Sequence, residues 1–452
     1  MIPILLSLLV IIMVARLILK GYRAELVLLV AGFVLMAATQ LMGGSILPKN
    51  LSGTGIAALD SFEVMRDLLS SRAASLGLMI MALMGFAQYM DHIGASGAVV
   101  QVVTKPLRRL RSPYILLFFS YLLASAIQLA IPSATGLAVL LMGTMFPIML
   151  GLGLSAASAA GVIATSLGVA YTPTAIDAIR GSQAVNMDVV EYVLYYQGPA
   201  AIATVIVIGF AHIIWQRHCD KQDGTLPTAN TMTQEKNGTA VPAYYALLPM
   251  LPIILAVASS NLFVSGVKLN IVTIVLFSIA LCLIVEFMRK KDFKQVCEGF
   301  NHFLQGMGVA FTTVVGLLVA AGVFAHGIKT IGAIDQLIMF AEHVGLPPFA
   351  MAVVFAIVTL AAAIIMGSGN APFLAFVELI PQIAASMGAN ATAMILPMQQ
   401  ASHMGRAMSP VSGVVIAVSS GAKLSPFAVV KRTAVPLLVG FVFHTIVIGI
   451  FL

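Results

Sequence analysis

Charge is what this sequence lacks. Only 9% of its 452 residues are Asp, Glu, Lys or Arg, against 60% hydrophobic residues and a mean hydropathy of +1.03. A water-soluble chain carries roughly a quarter charged residues, so a single soluble core is excluded, and with it most soluble enzyme classes. Cysteine is scarce too: Cys219, Cys282 and Cys297 lack the paired spacing of a disulfide framework or a zinc site. There is no His-Glu-x-x-His, no Gly-x-Ser-x-Gly, no phosphate-binding loop and no dinucleotide fingerprint. The sequence therefore reads as neither an enzyme nor a metal or cofactor protein. Its formal net charge of +7 comes from basic residues dispersed in short clusters between apolar stretches. That pattern points to anionic lipid, not to nucleic acid.

What is present is apolar sequence in runs of about 17 to 25 residues, each able to cross ~30 Å of hydrocarbon. Such runs fall near residues 2–19, 24–43, 76–92, 155–172, 197–215, 243–258, 270–288, 303–325, 392–408 and 433–452. The first has no basic residue ahead of it and no small-residue cleavage site, so it reads as a membrane helix and not as a signal peptide. Two further apolar stretches, 113–153 and 347–386, are each interrupted near the middle by a polar, glycine-containing tetrad. The polar stretch from Gln216 to Val241 is the one linker-like segment and divides the chain nearly in half.

The halves resemble each other. Phe86-Ala87 with Ile93-Gly94-Ala95 recurs as Phe324-Ala325 with Ile331-Gly332-Ala333, a shift of 238; Ser133 pairs with Ser368 at 235, and Pro173 with Pro410 and Pro199 with Pro436 at 237. If the interrupted stretches are hairpins that return to their side of entry, each half crosses five times, and an odd number inverts the second copy. The cations agree with that topology. About seventeen, including Arg16, Lys20, Arg23, Lys105, Arg108, Arg109, Arg111, Lys423, Lys431 and Arg432, fall in loops assigned to the cytoplasm. Six (Lys49, Arg66, Arg72, Arg180, Lys268 and Lys329) fall outside. Hairpin arms that crossed fully would give the same sides. Amphipathic stretches at 92–112 and 326–346 precede the hairpins in matching positions.

Chemistry concentrates at four interruptions. The hairpin tips, Pro132-Ser133-Ala134-Thr135-Gly136 and Gly367-Ser368-Gly369-Asn370-Ala371, each place a Ser at an expected helix start, where free N–H groups and the helix dipole attract anions. Tyr171-Thr172-Pro173-Thr174 and Met408-Ser409-Pro410-Val411-Ser412 read as breaks inside apolar spans, each restarting a helix with proline in its first turn. Unwound backbone at membrane depth is tolerated where it is buried in protein or lines a cavity, so two symmetric pairs of helix starts point to a central polar site. Arg406 lies within a span, where a permanent cation is expensive. It either pairs with Glu378 or snorkels to the cytoplasmic side, or it offers its guanidinium to a substrate carboxylate. Glu378 and Asp177 either carry a coupling proton or sit near span ends as structural groups. His403 either relays a proton or bonds to a carbonyl.

The runs Met366-Gly-Ser-Gly-Asn-Ala-Pro-Phe373, Gly405-Arg-Ala-Met-Ser-Pro-Val-Ser-Gly-Val414 and Lys423-Leu-Ser-Pro-Phe-Ala-Val-Val-Lys-Arg-Thr433 resemble the anaerobic C4-dicarboxylate carrier family of the DcuC type, in the ion transporter superfamily. So do Pro132-Ser-Ala-Thr-Gly136 and Leu317-Leu-Val-Ala-Ala-Gly-Val-Phe-Ala325. The resemblance implies an all-α polytopic membrane protein in the bacterial inner membrane: a homodimer of inverted-topology repeats with two re-entrant hairpins and two broken helices, working as an elevator-type secondary transporter. On that reading residues 1–215 form the first repeat (scaffold 1–112, transport elements 113–215), 216–242 a cytoplasmic linker, and 243–452 the second repeat (scaffold 243–346, transport elements 347–452). The expected substrate is succinate, fumarate, malate or a similar dicarboxylate, moved by uptake, exchange or efflux. Another carboxylate or an amino acid, or an anion channel, remains the alternative. Expected substrate contacts are Ser133, Ala134, Thr135, Gly136, Thr172, Pro173, Thr174, Ser368, Gly369, Asn370, Ala371, Arg406, Ser409, Pro410 and Ser412. Sodium-coupled relatives carry Ser-Asn-Thr at both tips, and this sequence departs from that signature, which leaves the coupling ion open between Na+ and H+.

Overall fold

The computed structural model describes the chain apart from residues 1–5, 7–8, 11, 15, 18–19, 21, 49–50, 105–111, 132, 226–240, 260–268 and 333–346. Most of the expected first span, Pro132, the second amphipathic stretch beyond Gly332, and Lys49, Lys105, Arg108, Arg109, Arg111 and Lys268 lie wholly or partly outside the described residues. Every regular element among the described residues is helical. In the first half α1 (Ala24–Leu41), α2 (Ala57–Arg72), α3 (Leu78–His92) and α4 (Ala95–Thr104) precede α5 (Pro113–Ile127), α6 (Ala134–Gly151), α7 (Ala156–Thr165), α8 (Ile176–Ala184) and α9 (Val189–Gln222). In the second half α10 (Leu251–Ala258), α11 (Ile271–Lys290) and α12 (Phe293–Thr330) precede α13 (Pro348–Met366), α14 (Asn370–Phe376), α15 (Ile380–Ser386), α16 (Ala391–Ala407), α17 (Gly413–Ala422) and α18 (Pro426–Phe451).

Local chemistry sets these boundaries. Ser133, Ser155, Asn270, Asp292, Asn390, Ser412 and Ser425 each cap a helix by accepting a backbone N–H near its start, which satisfies a donor the helix cannot. Proline begins α5, α13 and α18, where a missing N–H loses nothing. Among the described residues six helices, α6, α9, α11, α12, α13 and α18, are long and apolar enough to cross a bilayer. The chain is a multi-pass membrane protein. The spans expected near 155–172 and 392–408 are not among these six: α7 has ten residues, and α16 carries Gln399, Gln400, His403 and Arg406.

The shift found in the sequence recurs in irregular geometry. A π turn at Ala73–Gly77 joins α2 to α3, and another interrupts α12 at Phe311–Val315, the same shift of 238 found in the sequence. The turns meet: a β-carbon on Gly77 would lie 3.2 Å from both methyls of Val315. Around this crossing α3 packs on α12, while α13 packs on α16 and α9 on α18. Small residues permit the close approaches. A β-carbon on Gly405 of α16 would fall 2.6 Å from that of Ala363 on α13.

Three expectations change. The helix continues through Gln216 to Gln222 with Gln216, Cys219 and Asp220 buried, so the polar stretch read as a linker begins inside the fold. Arg72, Arg180 and Arg432, counted as loop cations, stand on helices. Arg432 is 1% exposed and bonds Asp220 Oδ1 at 2.7 Å and Asp223 Oδ2 at 2.6 Å. The helices around 76–92 and 303–325 are longer than hydropathy suggests, because Asp60, Glu63, Arg66 and Asp67 belong to α2, and Lys294 and Glu298 to the start of α12.

Candidate functional site

At the first tip Ser133 caps the 18-residue α6, its Oγ accepting from Gly136 N at 3.3 Å; Ser133 and Thr135 are exposed, and Ala134 and Gly136 half-buried. At the second, α13 ends on Gly367 with φ of +64°, a left-handed conformation that favours glycine. Close packing demands glycine there as well, since a β-carbon would meet the Ser412 nitrogen at 2.9 Å. Ser368 Oγ accepts from Ala371 N at 3.3 Å; Ser368 and Asn370 are half-buried and Ala371 is buried. The helix that follows, α14, has only seven residues, against eighteen for α6 at the first tip.

The break between α16 and α17 lies against both tips. A β-carbon on Gly413 would sit 3.2 Å from Thr135 Oγ1, and one on Gly369 would sit 3.2 Å from an Arg406 Nη. Ser409 and Ser412 are fully buried and Pro410 half-buried. Ser412 Oγ caps α17 by accepting from Val415 N at 3.2 Å, and Ser409 Oγ accepts from Val411 N at 3.3 Å. The structure thus brings together Thr135, Gly367 to Gly369, Ser412, Gly413 and Arg406.

The first break is closed on neutral partners. Gln400 grips the Ala170 peptide from both sides, accepting from its N–H at 2.9 Å and donating to its carbonyl at 2.6 Å, and Gln197 donates to the same carbonyl at 2.9 Å. These bonds satisfy backbone that an unwound segment leaves free. Thr172 and Thr174 bond to each other at 2.9 Å, and Pro173 beside them is buried. Thr174 faces an apolar cleft with Leu83, Phe86, Leu129 and Ala130. The hydroxyls of Thr172 and Thr174, expected as substrate contacts, are thus bonded to each other.

Arg406 Nη2 donates to Leu167 O of that break at 2.9 Å and to His403 Nδ1 at 3.2 Å, while its buried Nε has no hydrogen-bond partner. Glu378 is not its counter-ion. That carboxylate is held by Arg72, whose Nη2 donates at 2.6 Å, and by Arg180 at 3.0 Å. Asp177, in the first turn of α8, is buried. His403 Nε2 lies 3.0 Å from its Oδ2, an ion-pair distance set off the N–H axis, and Gln399 Nε2 donates to the same oxygen at 2.5 Å. Tyr192 completes the row by donating to Gln399 Oε1 at 2.9 Å. Gln399, His403 and Arg406 are spaced i, i+4, i+7, one face of a helix. That periodicity was the available signal for the group, but nothing local pointed to Asp177 as its partner.

Residues 2–452 match the family model described as DcuC, C4-dicarboxylate anaerobic carrier. The chain belongs to this family. It is 44% identical over 441 residues to the anaerobic C4-dicarboxylate transporter DcuC of Escherichia coli K12, covering 98% of this chain and 95% of that one. To the probable anaerobic C4-dicarboxylate transporter DcuC of Vibrio cholerae it is 43% identical over 450 residues, covering 99% and 97%. The crystal structure of the YdaH transporter of Alcanivorax borkumensis aligns with a TM-score of 0.66 at 13% identity, over 95% of this chain and 98% of that one. MtrF of Neisseria gonorrhoeae, from a class of antimetabolite efflux pumps, aligns at 0.55 and 12% identity over 93% and 94%. These last two establish a shared fold. The family match agrees with the resemblance read from the sequence motifs.

Proposed function

We propose that this protein is a secondary transporter that carries C4-dicarboxylates such as succinate, fumarate and malate across the bacterial inner membrane. The observation that carries the reading is the meeting of Thr135 at the start of α6, Gly367 to Gly369 and the turn at Ser409 to Gly413, with Arg406 against Gly369. Two capped helix starts, α6 and α17, each present about half a positive charge, and Arg406 adds a whole one. Together they offset a dianion. The hydroxyls and amide of Thr135, Ser368, Asn370 and Ser412, with the peptide N–H groups of Ala134 and Gly369, supply directional contacts. Family membership at 44% identity to a C4-dicarboxylate transporter supports the same substrate class.

We further read the halves as inverted copies. Under the shift of 238, Gly77 and Val315 are equivalent positions, and contact between equivalents is what a pseudo-twofold axis produces. The re-entrant hairpins, the elevator motion of residues 113–215 and 347–452 against the rest, and the homodimer belong to this proposal. Competition tests the substrate class. In proteoliposomes loaded with succinate, external fumarate and malate should displace labelled succinate far better than a monocarboxylate or an amino acid of similar size. Stronger displacement by either of the latter would overturn it.

A further inference from the structure

The geometry points to Asp177 and His403 as the site where a proton binds together with the dicarboxylate, with Arg406 linking the two events; this rests on the transport function proposed above. A guanidinium only donates hydrogen bonds. His403 Nδ1, 3.2 Å from Arg406 Nη2, is therefore the accepting nitrogen of the ring, and its proton sits on Nε2 beside Asp177 Oδ2. A second proton on His403 has to enter at Nδ1, where it would point straight at the guanidinium. Protonation of His403 and the His403–Arg406 bond exclude each other.

A substrate carboxylate resolves that conflict. Arg406 is held by a carbonyl and a neutral ring nitrogen, and its Nε is unpartnered, so a carboxylate arriving at Gly369 offers it stronger bonds than it has. As the guanidinium turns to the carboxylate, His403 Nδ1 is freed to take a proton from solvent, and the imidazolium is balanced by Asp177 on its other side. Without the proton, Asp177, Arg406 and a dianion sum to two negative charges; with it they sum to one. In a poorly solvated site that difference favours taking the proton. On release, the proton returns to solvent as Arg406 swings back.

The other titratable groups on the helices packed most closely against α16 already have partners. Of the elements packed on α16, helices α7, α13, α14, α15 and α17 carry no titratable side chain. Helix α8 adds Arg180, held by Glu378, which Arg72 also holds. Helix α18 adds Lys431 and Arg432, held by Asp220 and Asp223, and His444, bonded to Thr204 at 3.1 Å. Tyr192, from the start of α9, is bonded to Gln399. Asp177, His403 and Arg406 thus form an isolated group with one acid, one base and one cation.

Calorimetric titration of the purified full-length protein with succinate, in buffers of different ionisation enthalpy at one pH, counts the protons. The expected result is close to one proton taken up per succinate. His403→Gln and Asp177→Asn should still bind succinate while taking up none, and their affinity should lose the dependence on pH that wild type shows. Succinate binding to wild type without proton uptake, or unchanged uptake in both variants, overturns the inference and leaves the transport function standing. Failure of the wild type to bind any C4-dicarboxylate would instead overturn the function. The wild-type count decides even if a variant fails to fold.

Discussion

Two arginines, Arg406 and Arg432, are placed within helices of this membrane protein, and their surroundings differ. Arg432 is 1% exposed and sits between two carboxylates, with Ser158 and Gln216 adding hydrogen bonds. Arg406 touches a carbonyl and a histidine and keeps one donor unpaired. A cation whose partners are all supplied by the fold contributes to the fold. One left short of an anion is kept at a cost to stability, and that is the ground for proposing Arg406 as the contact of an anionic substrate.

The same substitution at both positions breaks or sustains this comparison. Arg432→Met leaves Asp220 buried without its cation, so stability should fall by about 3–5 kcal/mol, read as a large drop in thermal midpoint. Arg406→Met removes a cation with no carboxylate against it. Its midpoint should stay at or above wild type, while dicarboxylate affinity should fall by about 2–5 kcal/mol, the range for losing one partner of a desolvated charge pair. If Arg406→Met unfolds the protein and Arg432→Met does not, the roles are reversed.

The tips sharpen the contrast. The first relies on an 18-residue helix and its cap, the second on a seven-residue helix with Arg406 against Gly369. Removing the cap with Ser133→Ala should weaken binding and stability together, by about 1 kcal/mol. Ser368→Ala and Asn370→Ala should raise the half-saturating concentration several-fold while leaving stability nearly unchanged. Wild-type kinetics in both would remove the second tip from the site. The smallest effect concerns pH. Lys431, bonded at 3.1 Å, and then Arg432 hold the Asp223 carboxyl below its ordinary range. A carboxyl depressed in the folded state stabilises above its unfolded value and loses that contribution as pH falls through its folded value. Asp223→Asn should therefore flatten the stability profile below about pH 4 and change little near neutrality.

The sequence made some of this legible. Pro173 and Pro410 mark the two breaks, although each lies three residues before its helix and not in the first turn expected; Ser133 and Ser412 mark helix starts, and Arg406 stands out as a cation inside an apolar run, because caps, prolines and hydropathy act within a few residues. Arg432 was not legible. It follows Lys431 as one of two adjacent cations that read as a loop, and its partners lie 212 and 209 residues away. Asp177 meets Gln399 at a separation of 222 residues, beyond the reach of any local pattern. The amino ends of α2 and α12 were hidden for a related reason: their charged residues end the hydropathic signal before the helix ends.

Succinate exchange in proteoliposomes containing equal amounts of wild type and Arg406→Met tests the central claim most directly. Wild type should show saturable uptake of labelled succinate that requires unlabelled succinate inside, and the variant should lose it. Wild-type half-saturation in the variant, or a linear conductance that needs no internal succinate, would contradict the account.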